Sequence, residues 1–215
     1  MQKLSRKFYN DFPTKKFDRE PRCFCYEISR QLIEKAHKSP GKRWYSSTNT
    51  VKGILLLLFT WNFAARITKQ LKAQDIVNLL KSQADNLRSL EKYSIMDNWE
   101  NNSIKISHIY KAFKKIAGQT GASKALSLLN PRLFVMWDTG IRRFVSGRSV
   151  DDNLRIIGIG NGESTGSYVN FLKGVKKIIT TLGLHKKKGI TQNNVAKKID
   201  EYHFVKIIMK NAGKE

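Results

Sequence analysis

The chain has 215 residues, enough for one well-filled core or two small lobes sharing one, and its 40% hydrophobic content excludes a disordered chain. Its 40 Lys and Arg stand against 17 Asp and Glu, a formal net charge of +23. Such a surplus repels itself in a compact fold, so a polyanionic partner is expected, nucleic acid first, with a general lysine-rich surface bias as the alternative.

Cys23 and Cys25 are the two cysteines, and Cys-Phe-Cys spacing suits neither an ordinary disulfide nor a four-ligand zinc site. They read as structural thiols of a reducing compartment. Met1 is followed by a polar, charged segment rather than a signal peptide, and the apolar run Ile54–Trp61 is far too short to span a bilayer. A soluble, intracellular protein is expected, with no membrane partner.

In chain order, residues 1–22 are polar and basic, with Pro13 and Pro21 blocking regular structure, and read as an arm laid over the body. Helical periodicity runs from about Phe24 to Ala36, with Ile28, Leu32 and Ile33 on one face. The loop Ser39–Thr48 carries Trp44 and Tyr45 beside Lys42 and Arg43. Those rings either stack on bases or fold back onto the core. The next helix starts at a cap near Thr48 or Asn49, runs to about Thr68, and is expected to be the most buried. Residues 72–93 repeat an amphipathic pattern through Ile76, Leu79, Leu80, Leu87 and Leu90, and 94–102 is turn-like.

A helix from Ser103 to Ala117 puts Ile106, Ile109, Tyr110, Phe113 and Ile116 on one side and Lys105, Lys111, Lys114 and Lys115 elsewhere. The turn Gly118-Gln-Thr-Gly121 and a helix over 122–130 follow, and Ile141 to Val145 begins another helix. The glycine-rich stretch 156–166 superficially resembles a phosphate loop, but it lacks the Lys-Ser/Thr ending and any βαβ setting. It reads as a connection into a helix over 167–182. From Lys173 onward eleven lysines face only three acids, Asp200, Glu201 and Glu215. Val195, Ile199, Tyr202, Val205 and Ile208 keep helical spacing there, so this tail is expected to pack. The expected class is all-α, divided into an arm and first helix (1–47), a helical core (48–183) and a basic C-terminal segment (184–215).

The stretch from Gly118 to Arg143 gathers the candidate chemistry. Helix 103–117, the glycine turn and helix 122–130 form a helix–hairpin–helix on sequence grounds, with an ordinary αα-hairpin as the alternative. Amides at the start of the second helix, over Gly118, Thr120, Gly121 and Ser123, can bind a phosphate, with Lys114 and Lys115 adding charge. Lys124 stands in the first turn of that helix, where the dipole, nearby cations and burial all favour a neutral amine. A neutral amine can attack a sugar carbon and form a Schiff base; otherwise Lys124 is a surface lysine. Asp138 follows Phe134-Val-Met-Trp137 and is well placed as a helix N-cap. It can also stabilise an oxocarbenium ion or activate water or the lysine.

The glycine hairpin, Lys124, the Ala-Leu-Ser-Leu-Leu-Asn-Pro-Arg-Leu-Phe connection and Asp138 resemble the helix–hairpin–helix DNA glycosylase superfamily, and within it the lysine-type 8-oxoguanine glycosylase/AP lyases. The resemblance covers about residues 103–145. It implies a two-lobe helical fold over 48–183, Asp138 as catalytic carboxylate and Lys124 as nucleophile. It also implies a monomer that flips a damaged base, an oxidised purine first, out of double-stranded DNA. The sequence departs from the usual pattern in its Gly121-Ala-Ser-Lys124 run and in a short Lys-to-Asp gap. It lacks the four-cysteine iron–sulfur loop of some relatives, so neither a cluster nor another cofactor is expected. Trp137, Phe134, Trp61 and Tyr168 are candidate walls of a base pocket, with core packing as the other reading of each. A non-enzymatic DNA-binding hairpin protein, a monofunctional glycosylase for mismatched or alkylated bases, and an RNA-binding protein are the alternatives.

Overall fold

The computed structural model describes residues 8–13, 21–38, 44–61, 71–138, 141 and 165–209. Those residues form six α-helices and no strand, as the hydrophobic periodicity requires. They are α1 (Pro21–Lys38), α2 (Thr48–Trp61), α3 (Ala73–Leu90), α4 (Ser103–Leu129), α5 (Thr165–Thr181) and α6 (Val195–His203), the last running into a π-helical turn, Phe204–Met209.

Local sequence sets most of the boundaries. Pro21 opens α1 instead of blocking it, because a first-turn proline lacks an N–H that would have no intrahelical acceptor anyway. The cap of α2 is Ser47, one residue before the expected position: its Oγ accepts the Thr50 N–H at 3.2 Å. The hydroxyl of Thr50 in turn donates to the Trp44 carbonyl at 2.6 Å, which folds the preceding turn onto the helix. Trp44 and Tyr45 therefore belong to the core. They stack with centroids 3.8 Å apart, and both donate to Glu91 Oε1, at 2.9 and 2.6 Å, from beyond the end of α3.

α1 and α2 form a close pair. A Cβ on Gly53 would stand 2.8 Å from the Ser29 carbonyl oxygen, so only glycine allows the helices this approach. α3 buries Ile76, Leu79, Leu80, Leu87 and Leu90, the stripe expected from its sequence. α4 is the hub, in contact with α2, α3 and α5. It is broken at Gly118, whose φ of 70° and ψ of 177° interrupt the helical backbone. Every residue from Gly121 to Leu129 is buried, whereas α2 leaves Lys52 and Phe59 exposed. The most enclosed helical segment is thus the second half of α4 and not α2, because neighbours cover all of its sides. No helix among the described residues is long and apolar enough to cross a membrane. The expected helix over 141–145 and the glycine-rich stretch up to residue 164 lie outside the described residues, apart from Ile141.

The described part of the N-terminal arm, residues 8–13, is fastened to the C-terminal segment. Tyr9 and Phe12 are buried beside Tyr202, whose hydroxyl donates to the Phe8 carbonyl and to Asp11. Lys206 pairs with Asp11 at 2.6 Å, and Lys187 donates to the carbonyls of Tyr9 and Phe12. At the centre, the Tyr9 hydroxyl lies 2.6 Å from His203 Nε2. Burial pushes the His203 imidazole down to about 3, so it is neutral in the fold. The unfolded imidazole titrates near its ordinary value of about 6.5 and binds more protons than the folded one below that pH. The contribution of His203 to stability is therefore present above about 6.5 and is lost as pH falls toward 3. Urea melts of wild type should lose up to about 1.4 kcal/mol per pH unit more than His203→Gln over this window, and equal slopes would remove His203 from the account.

Candidate functional site

After α4 the chain turns at Asn130-Pro131 and runs extended through Leu133–Asp138. The turn is anchored to the end of α3: Asn130 Nδ2 donates to the Leu90 carbonyl at 3.0 Å, and the Ile95 N–H donates to the Arg132 carbonyl at 2.8 Å. Leu133 to Trp137 are all buried. An extended segment without a sheet has backbone groups that must find other partners: the Leu133 and Phe134 N–H groups donate to the Asn130 carbonyl at 3.2 and 3.0 Å, and side chains serve further along.

Three helices each contribute one. The Tyr168 hydroxyl of α5 donates to the Val135 carbonyl at 2.9 Å. The Met136 N–H donates to Asp200 Oδ1 of α6 at 2.6 Å. The Trp137 N–H donates to Ser123 Oγ of α4 at 2.9 Å, while the same hydroxyl donates to the Thr120 carbonyl at 3.0 Å. Asp138, half-buried at the end of the segment, accepts the Ile141 N–H on Oδ1 at 2.8 Å, the bond of a helix N-cap.

The Ser123–Trp137 bond joins the two stretches that carry the candidate pair. Lys124 follows one partner and Asp138 follows the other, so fourteen residues of chain return both to one neighbourhood. Lys124 is 6% exposed. Its Nζ donates to the carbonyl of Trp61, the last described residue of α2, and lies 5.8 Å from the centroid of the Trp61 ring.

The proposed pocket aromatics divide into two groups, all of them buried. Trp137, Tyr168 and Phe134 belong to a stack completed by Tyr110 and Phe171, with Tyr110–Tyr168 centroids 4.3 Å apart and Trp137–Phe171 5.3 Å apart. Trp61 instead packs on Phe204 at 4.9 Å and Tyr26 at 5.8 Å. Of the candidate phosphate contacts, Gly121 and Ser123 are buried, Gly118, Thr120 and Lys114 are half-buried, and Lys115 is exposed. The Tyr110 hydroxyl donates to the Gln119 carbonyl at 3.2 Å, tying the break in α4 to its own first half.

Asp200 is the residue that sequence reasoning missed. Besides Met136 it holds Ser127 of α4, whose hydroxyl donates to Oδ2 at 2.8 Å. Burial, reinforced by the charges of Glu201 and Asp138, holds its carboxyl well above the usual carboxylate range. A small cavity of about 10 Å³, room for about one water, is lined by Tyr26, Trp61, Met136, Lys197, Asp200 and Glu201. Glu201 is held by Lys198 at 2.7 Å and Lys197 at 3.7 Å. A signal was present: Ala196, Asp200 and His203 share the helical stripe that α6 buries, and a carboxylate on an apolar stripe needs partners.

No family model, curated protein or solved structure matches the chain. The reading of function therefore rests on this site and the charge of the chain.

The break at Gly118 has a direct test. Its backbone lies in a region open essentially to glycine alone, so Gly118→Ala should cost about 1–3 kcal/mol in a urea melt. A loss below about 0.5 kcal/mol would mean that the break is absent in solution.

Proposed function

We propose that this chain is a DNA glycosylase that excises a damaged base, an oxidised purine first, and also cuts the strand as an AP lyase through Lys124. The observation that carries the reading is the Ser123–Trp137 hydrogen bond, which returns a buried lysine and a capping carboxylate to one neighbourhood. The net charge of +23 supports it from the side of affinity, since neutralising phosphates releases counterions and gives binding that weakens steeply with salt.

In this reading the break at Gly118 is the turn of a helix–hairpin–helix within a two-lobe fold. The amides that follow it, with Lys114 and Lys115, grip the backbone without reading sequence. The damaged nucleotide leaves the stack, because its glycosidic bond is out of reach inside the duplex. The neutral Lys124 amine attacks C1′ as the bond from C1′ to the base breaks, and the base departs after taking up a proton. Opening of the sugar ring leaves a Schiff base between Nζ and C1′, and loss of a C2′ proton then expels the 3′ phosphate. Asp138 serves as the carboxylate that stabilises positive charge at C1′ and accepts the proton from the amine. Lys124 has to exchange its bond with the Trp61 carbonyl for the sugar, so DNA binding must open the contact between α2 and α4.

A second reading has an observation of its own. Lys124 and all four candidate aromatics are packed inside, as in a non-enzymatic DNA-binding protein whose hairpin only grips phosphate. In that case Lys124 is a cross-link between α4 and α2.

Borohydride reduction on duplexes containing 8-oxoguanine or an abasic site separates the two. A covalent protein–DNA adduct should form with wild type and be absent with Lys124→Gln. Asp138→Asn should lower base release by about 10²-fold or more with duplex affinity nearly unchanged. Salt-sensitive binding without an adduct, and without base release on any lesion of a panel, would establish the second reading.

A further inference from the structure

We propose that Asp200 is a positioning residue for this chemistry, the group that fixes the 134–138 segment so that Asp138 stands beside Lys124. The inference rests on the glycosylase reading for its chemistry but on geometry for its placement. One carboxyl joins three elements, accepting Met136 N–H of the extended segment and the Ser127 hydroxyl of α4 while carried by α6. Met136 is two residues from Asp138, and Ser127 is three residues, one helical turn, from Lys124. A single side chain therefore spans the two strands of chain that deliver the pair.

The surroundings explain how a carboxyl can do this while buried. Tyr26 from α1, Tyr168 from α5, Asp138 from the extended segment, and Glu201 and Lys197 from α6 are the titratable groups that face it or share its cavity. Glu201 is compensated by Lys197 and Lys198, so Asp200 itself is left among acidic and phenolic neighbours. A neutral carboxyl still holds both of its hydrogen bonds and adds no charge next to Asp138. The ionised form accepts the same two bonds, so the placement of the segment follows from the contacts themselves.

Asparagine reproduces the shape and both contacts of the neutral acid, whereas alanine removes them. Asp200→Ala should slow single-turnover base release by about 10-fold or more while duplex affinity stays within about 2-fold, since small displacements of catalytic groups are costly. Asp200→Asn should recover the rate to within about 3-fold. Equal losses in the two variants, or a loss that merely follows the unfolded fraction in a urea melt, would overturn the proposal. Should Asp200→Ala fail to fold, Ser127→Ala removes one bond only. It should slow base release by about 3-fold with duplex affinity unchanged, and an unchanged rate would overturn the proposal equally. If wild type releases no base from any lesion and forms no adduct, the glycosylase reading fails on its own. Carbon-13 carboxyl NMR then tests the positioning directly. The Asp138 resonance should move as Asp200 titrates and cease to do so in Asp200→Asn, and an Asp138 resonance indifferent to both would sink the inference.

Discussion

A buried extended segment with no sheet to join is the constraint on which the rest of the fold depends. Leu133–Trp137 bury five consecutive side chains, so their N–H and carbonyl groups leave water as well. A buried backbone group without a partner costs about 1–3 kcal/mol. A helix or a sheet would pair such groups automatically, and here the Asn130 carbonyl takes the first two N–H groups while three side chains from three different helices pair with Val135, Met136 and Trp137. Tyr168, Asp200 and Ser123 must each arrive in register for the segment to be dry. The segment consequently locks α4, α5 and α6 to one another as firmly as they lock it.

The same constraint explains the order of burial in the helices. The second half of α4 faces α2 on one side and carries Ser123 and Ser127 toward the segment on the other. It has no solvent side left, and so Gly121 to Leu129 are all buried, Lys124 included. The break at Gly118 lets this enclosed stretch take a direction different from the amphipathic first half, which keeps Lys111 and Lys115 in water. Small side chains suit the enclosed stretch, where Gly121, Ala122, Ser123, Ala125 and Ser127 allow close approach from several directions.

Much of this was legible in the sequence and some was not, for physical reasons. Helix period, apolar stripes and the polar punctuation at 94–102 report local choices, and the observed helices follow them. Pro21 and Ser47 show where local rules have two outcomes: a proline can begin a helix as well as bar one, and adjacent Ser, Ser, Thr and Asn all make acceptable caps. The neighbourhood shared by Lys124 and Asp138 was legible because one short helix and one turn separate them. For Asp200 the apolar stripe signalled burial but not the partners, since it meets Ser127 across 73 residues and Met136 across 64, and no local pattern encodes such a meeting. Trp44 and Tyr45 likewise found their acceptor, Glu91, more than forty residues away, which turned an ambiguous basic loop into core.

Lys124 is where stability and chemistry pull apart. Placing an ammonium in the interior of a chain with a net charge of +23 is expensive, and the effective penalty for a buried ion is several kcal/mol. A hydrogen bond from a charged donor returns about 1.5–3 kcal/mol, and the face of the Trp61 ring returns about 2 kcal/mol at most in a desolvated setting. A methionine or leucine of similar volume would fill the same space at no such cost. Both of these contacts come from Trp61 at the end of α2, so the amine is tied to the seam between α2 and α4. The two readings of Lys124 therefore differ in one physical event, since the glycosylase reading requires the seam between α2 and α4 to open on DNA and the cross-link reading keeps it closed.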